Sequence, residues 1–260
     1  MKKYVVILVN HLQIQLTYKF NVIVGLFNQL LGVLVALLTW SAIFSSSSQG
    51  VVGHFTRSQM FVYLIIVNFS TVLFSMTRVS YLGDLVHTGK LTMHLLRPYS
   101  FLGQEIVSFL GDQFLQLLLY LVAIVSTTLV IGYEWYYTLA LLVLLMSNLM
   151  MFSLLINFIA NLGFWMIQTW PLRPILNAAY SLLGGLLFPL NLLPNPLYQI
   201  VVNNPFSLVG FQYTLALQHR LLLAEIWQNS ILAFLWSFLF YIGYLWSFKC
   251  GLKRYEGMGA

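Results

Sequence analysis

Charged residues are scarce in this chain. Lys, Arg, Asp and Glu together make up 7% of its 260 residues, whereas 60% of the residues are hydrophobic. A soluble domain carries about 25% charged residues, and charged side chains are almost never fully buried. The composition therefore excludes a water-soluble globular protein. It indicates an integral membrane protein whose outer surface faces the lipid bilayer.

Cysteine is nearly absent as well, since Cys250 is the only one. A single cysteine excludes an intrachain disulfide and a cysteine metal cluster. His87 and His94 lie seven residues apart, but two histidines without a third ligand do not indicate a zinc site. The sequence shows no credible Ser-His-Asp, paired-carboxylate or Cys-His arrangement. We therefore expect no enzymatic activity and no metal site in this chain by itself.

Long apolar runs dominate what is present. A run of about 20 apolar residues can cross the hydrocarbon core of a bilayer as a helix, so the sequence predicts an all-α protein with six transmembrane helices. None of the six contains Lys, Arg, Asp or Glu, and no internal repeat is visible, which argues against a proton-coupled carrier. The predicted spans are Phe20–Phe44, Gln59–Thr77, Gln113–Tyr133, Tyr137–Ala160, Pro174–Leu190 and Ile226–Phe248.

The basic residues are distributed unevenly between the loops. An even number of spans places both termini on the same side, and ten of the twelve Lys and Arg residues then fall on that side, against Arg57 and Arg220 on the other. Because cytoplasmic loops are enriched in Lys and Arg, the sequence predicts an N-in, C-in orientation. This bias also explains the net charge of +6, so we expect no nucleic-acid partner.

The regions between the spans differ in character. Residues 1–19 predict an interfacial helix on the inner membrane surface, with an irregular lead-in to the first span as the alternative. Three prolines interrupt an apolar outer segment, which predicts short re-entrant helices there. The single predicted permease domain comprises 1–19, spans 1 and 2 at 20–77, a cytoplasmic loop at 78–112, spans 3 to 5 at 113–190, the outer re-entrant segment at 191–225, span 6 at 226–248 and a cytoplasmic tail at 249–260.

One stretch of the cytoplasmic loop has the outline of a nucleotide-binding loop. In the phosphate-binding motif, four residues separate two glycines, and a Ser or Thr that binds magnesium follows the lysine. Here five residues separate Gly83 from Gly89, and Leu91 stands in the place of the Ser or Thr. We therefore expect no cofactor in this chain.

The same stretch resembles a loop of a known transporter family. Its residues run Asp84-Leu85-Val86-His87-Thr88-Gly89-Lys90-Leu91, followed by Leu95-Leu96-Arg97-Pro98. They resemble the loop after the second span of ABC-2 type (type 2 exporter class) ABC transporter permeases, which forms a coupling helix inserted into the ATPase subunit. Without this resemblance, an ordinary positive-inside loop is an equally good interpretation. The resemblance implies ATPase contacts at Asp84, Leu85, Gly89, Lys90, Leu91, Leu95, Arg97 and Pro98.

A second group of residues fits the same family. The pattern at the end of the fifth span and in the outer segment is Gly184-Gly185-Leu186-Leu187-Phe188-Pro189-Leu190, then Leu193-Pro194, then Asn204-Pro205-Phe206. Phe164-Trp165, near the end of the fourth span, is similar to a pair in the subfamily that combines two non-identical permeases with a separate ATPase. The resemblance therefore covers nearly the whole chain.

The resemblance implies a function and a set of partners. The chain is expected to be the permease of an ATP-driven exporter in a bacterial cytoplasmic membrane, with ATP and Mg bound by separate ATPase subunits and with a second permease beside it. An amphipathic, peptide, drug or lipid-like substrate is expected. The alternatives are a non-transporting docking or immunity component and, less favoured, a secondary carrier or channel. The second and fifth spans would face the substrate pathway, which implicates Asn68, Asn177, Phe188 and Pro189, although such amides more often bond neighbouring helices.

Overall fold

Helices form nearly all of the computed structural model, which describes residues 2–47, 51–53, 55–132 and 134–255. A two-stranded antiparallel hairpin pairs β1 (Val51–Val52) with β2 (Phe55–Thr56). Short 3-10 turns occupy Thr77–Ser80, Asn161–Phe164 and Leu190–Leu192, and a π-helical turn occupies Leu208–Gln212. The helices are α1 (Lys2–Thr17), α2 (Lys19–Ser46), α3 (Arg57–Leu73), α4 (Tyr81–His87), α5 (Leu91–Leu95), α6 (Phe101–Asp112), α7 (Phe114–Ile131), α8 (Trp135–Ala160), α9 (Leu172–Leu183), α10 (Asn195–Val201), α11 (Pro205–Ser207), α12 (Tyr213–Leu217) and α13 (Leu223–Leu252).

Several helical stretches are long and apolar enough to cross a membrane. In the described part of the chain there are four, and α6 with the first part of α7 makes a fifth if this pair, bent by 61°, counts as one span. The predicted all-α membrane fold is therefore confirmed, whereas the count of six spans and the N-in, C-in orientation stay predictions. The four stretches are Ile23–Ser46, Arg57–His87, Trp135–Phe164 and Leu223–Leu252.

The predicted fifth span differs from the helix that is found. Helix α9 ends at Leu183 instead of Leu190, and its 12 residues extend about 18 Å, whereas the hydrocarbon core is about 30 Å thick. Two consecutive glycines explain the early end. Gly185 has a φ of +77°, a left-handed conformation that glycine adopts without the steric penalty of other residues. The chain therefore leaves the helix before the apolar run ends.

Helix α8 lies at the centre of the molecule. Within its most apolar window 72% of the residues are buried, against 11% for the corresponding window of α2. It packs along α13 and against α6, α7 and the turn before α4. The side-chain amide of Asn148 in α8 donates a hydrogen bond of 3.0 Å to the carbonyl oxygen of Leu208 in the π-helical turn. Helix α2 instead exposes most of its apolar side chains at the periphery.

Helix α1 packs on α6. The two helices approach each other closely at Gly111, which follows Leu110. A Cβ added to this glycine would lie 2.7 Å from the Cβ of His11. The ring of His11 bonds Asp112 at 2.6 Å, and the Gln15 side-chain amide donates to the carbonyl oxygens of Gly111 and Asp112. A helix is thus present where the sequence predicts one, and its position on the membrane surface stays a prediction.

The predicted re-entrant segment consists of short helices. Asn204 caps the helical run that starts at Pro205, because its side-chain oxygen accepts hydrogen bonds from the amides of Phe206 and Ser207 at 2.7 and 3.0 Å. The run then continues through the π-helical turn and α12 into the interior, where residues 207–217 are buried. Gly210 crosses the end of α9 there, and any side chain would overlap the carbonyl of Gly184.

Candidate functional site

The segment of residues 84–98 folds into two short helices joined by a tight turn. Helix α4 ends at His87, and the Thr88 hydroxyl donates to the Asp84 carbonyl at 2.6 Å. Gly89 follows with a φ of +70°, which favours glycine at this position. Helix α5 begins two residues later, and Pro98 follows its end. The 84–98 segment is therefore a defined structural unit and not an extended loop.

The apolar residues of this segment divide into a buried and an exposed group. Leu85 and Leu91 are 6% and 0% exposed and pack in a cluster with the side chains of α6, α13 and the turn after α8. Met93, Leu95 and Leu96 are exposed, Leu96 by 80%. The ATPase contacts that the resemblance implies for Leu85 and Leu91 stay predictions, and in this conformation these two residues anchor the segment to the chain's own interior.

The charged residues of the segment lie on its surface. Asp84, Lys90 and Arg97 are exposed, as is Pro98. Arg97 is held in place, since its guanidinium donates hydrogen bonds to Tyr99 and Gln104, each at 3.2 Å. Between Lys90 and Arg97 the segment thus exposes two cations and three apolar side chains. Such a surface suits contact with a soluble protein.

Tyr255, just beyond α13, holds the turn of the segment. Its hydroxyl donates to the Gly89 carbonyl at 2.8 Å and accepts from the Thr92 amide at 3.2 Å. The Thr92 hydroxyl lies 2.9 Å away from the same oxygen. The end of α13 and the segment are therefore directly coupled, which no local sequence pattern indicates.

A network of charged side chains lies behind the segment. Arg78 bonds Glu105 and Asp112, each at 2.7 Å, and Asp112 also binds His11. Glu105 is 3% exposed, so it needs this pairing to remain buried as an ion. The network joins α1 and α6 to the turn between α3 and α4. The sequence did not indicate this pairing, since the partners are 27 to 101 residues apart.

His94 belongs to the buried side of the same region. It lies between Tyr81 and Phe101, with both rings edge-on at about 6 Å, and its Nδ1 is 3.1 Å from the Gln104 amide nitrogen. Burial lowers the pKa of His94 below its ordinary value. The ring is therefore a neutral packing group at pH 7. Among the residues that the structure describes, no group of three His, Cys, Asp or Glu side chains could hold a metal ion.

A polar cavity of about 290 Å³ lies between α9 and the end of α3. Arg173, Asn177 and Ser181 line it from α9 at intervals of four residues, so they share one face of that helix. Thr71 and Ser75 face them from the end of α3. The structure thus places one predicted pathway residue, Asn177, in a cavity with the chain's second and fifth apolar segments as walls.

The other predicted pathway residues lie elsewhere. Asn68 sits one turn before Thr71, and its side chain donates to the Leu64 carbonyl of its own helix at 2.8 Å. Phe188 is partly buried and packs against a second apolar cluster, and Pro189 is buried. The structure therefore does not bring the four residues together at one cavity. Their part in a pathway stays a prediction.

Two features of these sites escaped the sequence analysis for different reasons. Met93 and Leu96 are spaced three residues apart, which is a pattern that could have indicated an exposed helical face. Arg173 was counted only as a cytoplasmic charge, because the apolar run starts at Pro174. The helix in fact begins at Leu172, so Arg173 belongs to its first turn.

Comparison with known proteins identifies the family of this chain. Neither the search of curated proteins nor that of solved structures gave a match. The family model described as ABC-2 family transporter protein matches residues 30–259, which include the second part of α2 and all helices from α3 to α13. The chain therefore belongs to the ABC-2 family of transporter proteins and is a multi-pass membrane permease of that family.

Proposed function

We propose that the chain is the permease subunit of an ATP-driven exporter and that ATPase subunits dock on the 84–98 segment. Permeases of this family usually work with ATPase subunits. The observation that carries the docking site is the exposed apolar surface of Met93, Leu95 and Leu96, flanked by Lys90 and Arg97. Apolar groups exposed together on a protein surface often mark a protein–protein interface.

The segment is suited to transmit motion because it is anchored on both sides. Leu85 and Leu91 fix it to the interior, and Tyr255 ties its turn to the end of α13. Helix α4 belongs to the same helical stretch as α3, Arg57–His87. A displacement of the segment by a closing ATPase would therefore move α3 and α13 together. Short rigid elements of this kind can couple two sites.

The proposal assigns the chemical step to the partner subunits. ATP and Mg bind the ATPase, and this chain supplies the path through a bacterial cytoplasmic membrane, with a second, non-identical permease on the other side of that path. Asn177 lies on the face of α9 that lines the polar cavity, and its side chain is exposed in the single chain. Amphipathic, peptide, drug or lipid-like substrates are compatible with such a path.

Association with the ATPase is the test of this proposal. The chain is purified from its own membranes with the ATPase that accompanies it, and both are reconstituted for measurement of affinity and ATP hydrolysis. Leu96→Glu and Arg97→Glu should each weaken association by about tenfold or more, as expected for residues central to an interface. Arg57→Glu reverses an exposed charge at the opposite end of α3 and serves as the matched control, with unchanged affinity.

Other outcomes would favour the other functions. Wild-type affinity in both variants would overturn docking on the 84–98 segment. An ATPase that binds this chain without any substrate moving across reconstituted vesicles would favour a non-transporting docking component. Transport that continues without an ATPase would favour a secondary carrier or channel.

A further inference from the structure

We propose that the cavity between α9 and the end of α3 binds the anionic head group, a phosphate or a carboxylate, of an amphiphilic substrate. Arg173 is the charged contact and Asn177 a hydrogen-bond donor beside it. This inference rests on the proposed function, since it names the substrate class of the same permease.

The charge of Arg173 has no counterpart in the cavity. In the described part of the chain, the ion pairs join His11 and Arg78 to Asp112 and Glu105, and none includes Arg173. The lining of the cavity contains no Asp or Glu. Arg173 is an exposed cation, and a concave site lined by one cation and no carboxylate attracts anionic groups.

The position of Arg173 in α9 strengthens this argument. It lies in the first turn of a 12-residue helix with no acidic residue in that turn. The N-terminal end of a helix carries a partial positive charge, so it disfavours a cation and favours an anion. An anion in the cavity would therefore be attracted by Arg173 and by the helix end together.

One polar group of the cavity is free to contact the same ligand. The hydroxyls of Thr71 and Ser181 already donate to carbonyls of their own helices. The side-chain amide of Asn177 is exposed and makes no hydrogen bond to any described residue. It lies one helical turn after Arg173, so an oxyanion that contacts Arg173 could also accept a hydrogen bond from this amide.

Apolar groups beside the cavity account for the rest of the ligand. Met76 and Leu186 complete its lining. A small free anion would leave these two apolar side chains without contact, whereas an acyl chain or a similar tail would cover them, at about 25 cal/mol per Å² of apolar area buried. The combination of one cation, amide and hydroxyl donors and an apolar border fits a head group with a tail attached.

Binding to the purified permease without any ATPase tests the proposal. The probes are pyrene-labelled phosphatidic acid, pyrene-labelled phosphatidylcholine and inorganic phosphate, presented to the chain in a neutral detergent and followed by fluorescence anisotropy and competition. We expect phosphatidic acid to bind at least tenfold more tightly than phosphatidylcholine, and inorganic phosphate to compete only weakly. Arg173→Gln should weaken phosphatidic acid binding at least tenfold, and Asn177→Leu should weaken it several-fold.

Two further variants keep the result interpretable. Arg173→Lys retains the positive charge and should retain most of the binding. Arg254→Gln removes an exposed cation at the end of α13 and should leave binding unchanged. Equal binding of the two lipids, or an Arg173→Gln variant that elutes as folded protein and binds like the wild type, would overturn the proposal. If inorganic phosphate bound as tightly as the lipid, the proposal of an amphiphilic ligand would be overturned and the cavity would be a site for free anions.

Failure here and failure of the proposed function are distinguishable. Loss of selectivity for the anionic lipid with normal ATPase association would refute only the substrate class. Loss of ATPase association with selective lipid binding would refute only the docking site.

Discussion

The hydroxyl of Tyr255 is the polar group that most directly joins the 84–98 segment to the rest of the chain. It bonds Gly89 and Thr92, and the ring packs with the cluster around Leu91. The segment has no other described side-chain hydrogen bond to α13 or to the residues after it. Among the described side chains, one oxygen atom from far along the chain therefore makes the hydrogen bonds that join the turn at Gly89 to the end of α13.

Replacement of that tyrosine should loosen the turn without unfolding the permease. In Tyr255→Phe the ring remains and only the hydroxyl is lost. Each hydrogen bond contributes about 0.5–1.5 kcal/mol, so loss of two should raise the open population of the turn about tenfold. Hydrogen exchange of a peptide covering residues 88–96 measures this population. Tyr136→Phe removes a hydroxyl from an exposed position at the start of α8 and should exchange like the wild type. An unchanged Tyr255→Phe would contradict the role assigned to the hydroxyl.

Tyr255 also illustrates which features of the site can be predicted from the sequence. The order of residues from Asp84 to Pro98 locates the segment, because it is local and resembles a known loop. The contact of Tyr255 with Gly89 spans 166 residues, and the bond of His11 with Asp112 spans 101. No periodicity or spacing encodes such contacts, since they arise only when the helices have packed.

Among the elements, those with uniform and continuous apolar composition are predictable from sequence. Helices α2, α8 and α13 match their predicted spans to within a few residues because nothing interrupts them. Helix α9 does not, since Gly184 and Gly185 end it inside the apolar run. The bend between α6 and α7 also escaped prediction. There the polar face of α6 carries Glu105 and Asp112 into the network with Arg78, which holds α6 at an angle to α7.

The crossing of α4 over the turn after α8 depends on two glycines. A Cβ on Gly163 would lie 2.6 Å from the Gly83 Cα, and one on Gly83 would overlap the Thr169 side chain. The backbones therefore touch directly at this point. Across it, the hydroxyl of Thr169 lies 3.3 Å from the Ser80 carbonyl and donates to it. This crossing positions α4, and with it the start of the 84–98 segment.

An added methyl group at this crossing should destabilise the protein. Glycine to alanine inside a helix ordinarily stabilises by about 0.5–1 kcal/mol, and Gly25→Ala should do so, because nothing lies within 4 Å of its Cβ position. Gly83→Ala should instead lose about 1–3 kcal/mol through overpacking. Thermal unfolding in detergent gives the sign of each change. A higher melting temperature for Gly83→Ala would show that the crossing is looser than the structure indicates.

At the scale of the whole molecule, contacts between distant residues define two ends. At one end, Gln218 donates to the Gln59 carbonyl at 3.1 Å and Arg220 to the Gln59 side chain at 2.7 Å. At the other end, Tyr255 meets Gly89. The long helices run between these two ends. The chain from Thr169 to Gln218 also leads from one end to the other, through α9 and the buried helical run after Pro205. This arrangement favours the predicted even number of spans although α9 is short.

The orientation of these two ends is testable because the chain has a single cysteine. Cys250→Ser gives a cysteine-free background into which Met93→Cys or Leu222→Cys is introduced, at sites exposed by 57% and 72% near the two opposite ends. The charge bias predicts that a membrane-impermeant maleimide labels the Leu222 site in intact cells and the Met93 site only after permeabilisation. Labelling of both sites in intact cells would place them on one side and contradict six spans. The reverse pattern would invert the molecule and remove the 84–98 segment from the reach of any cytoplasmic ATPase.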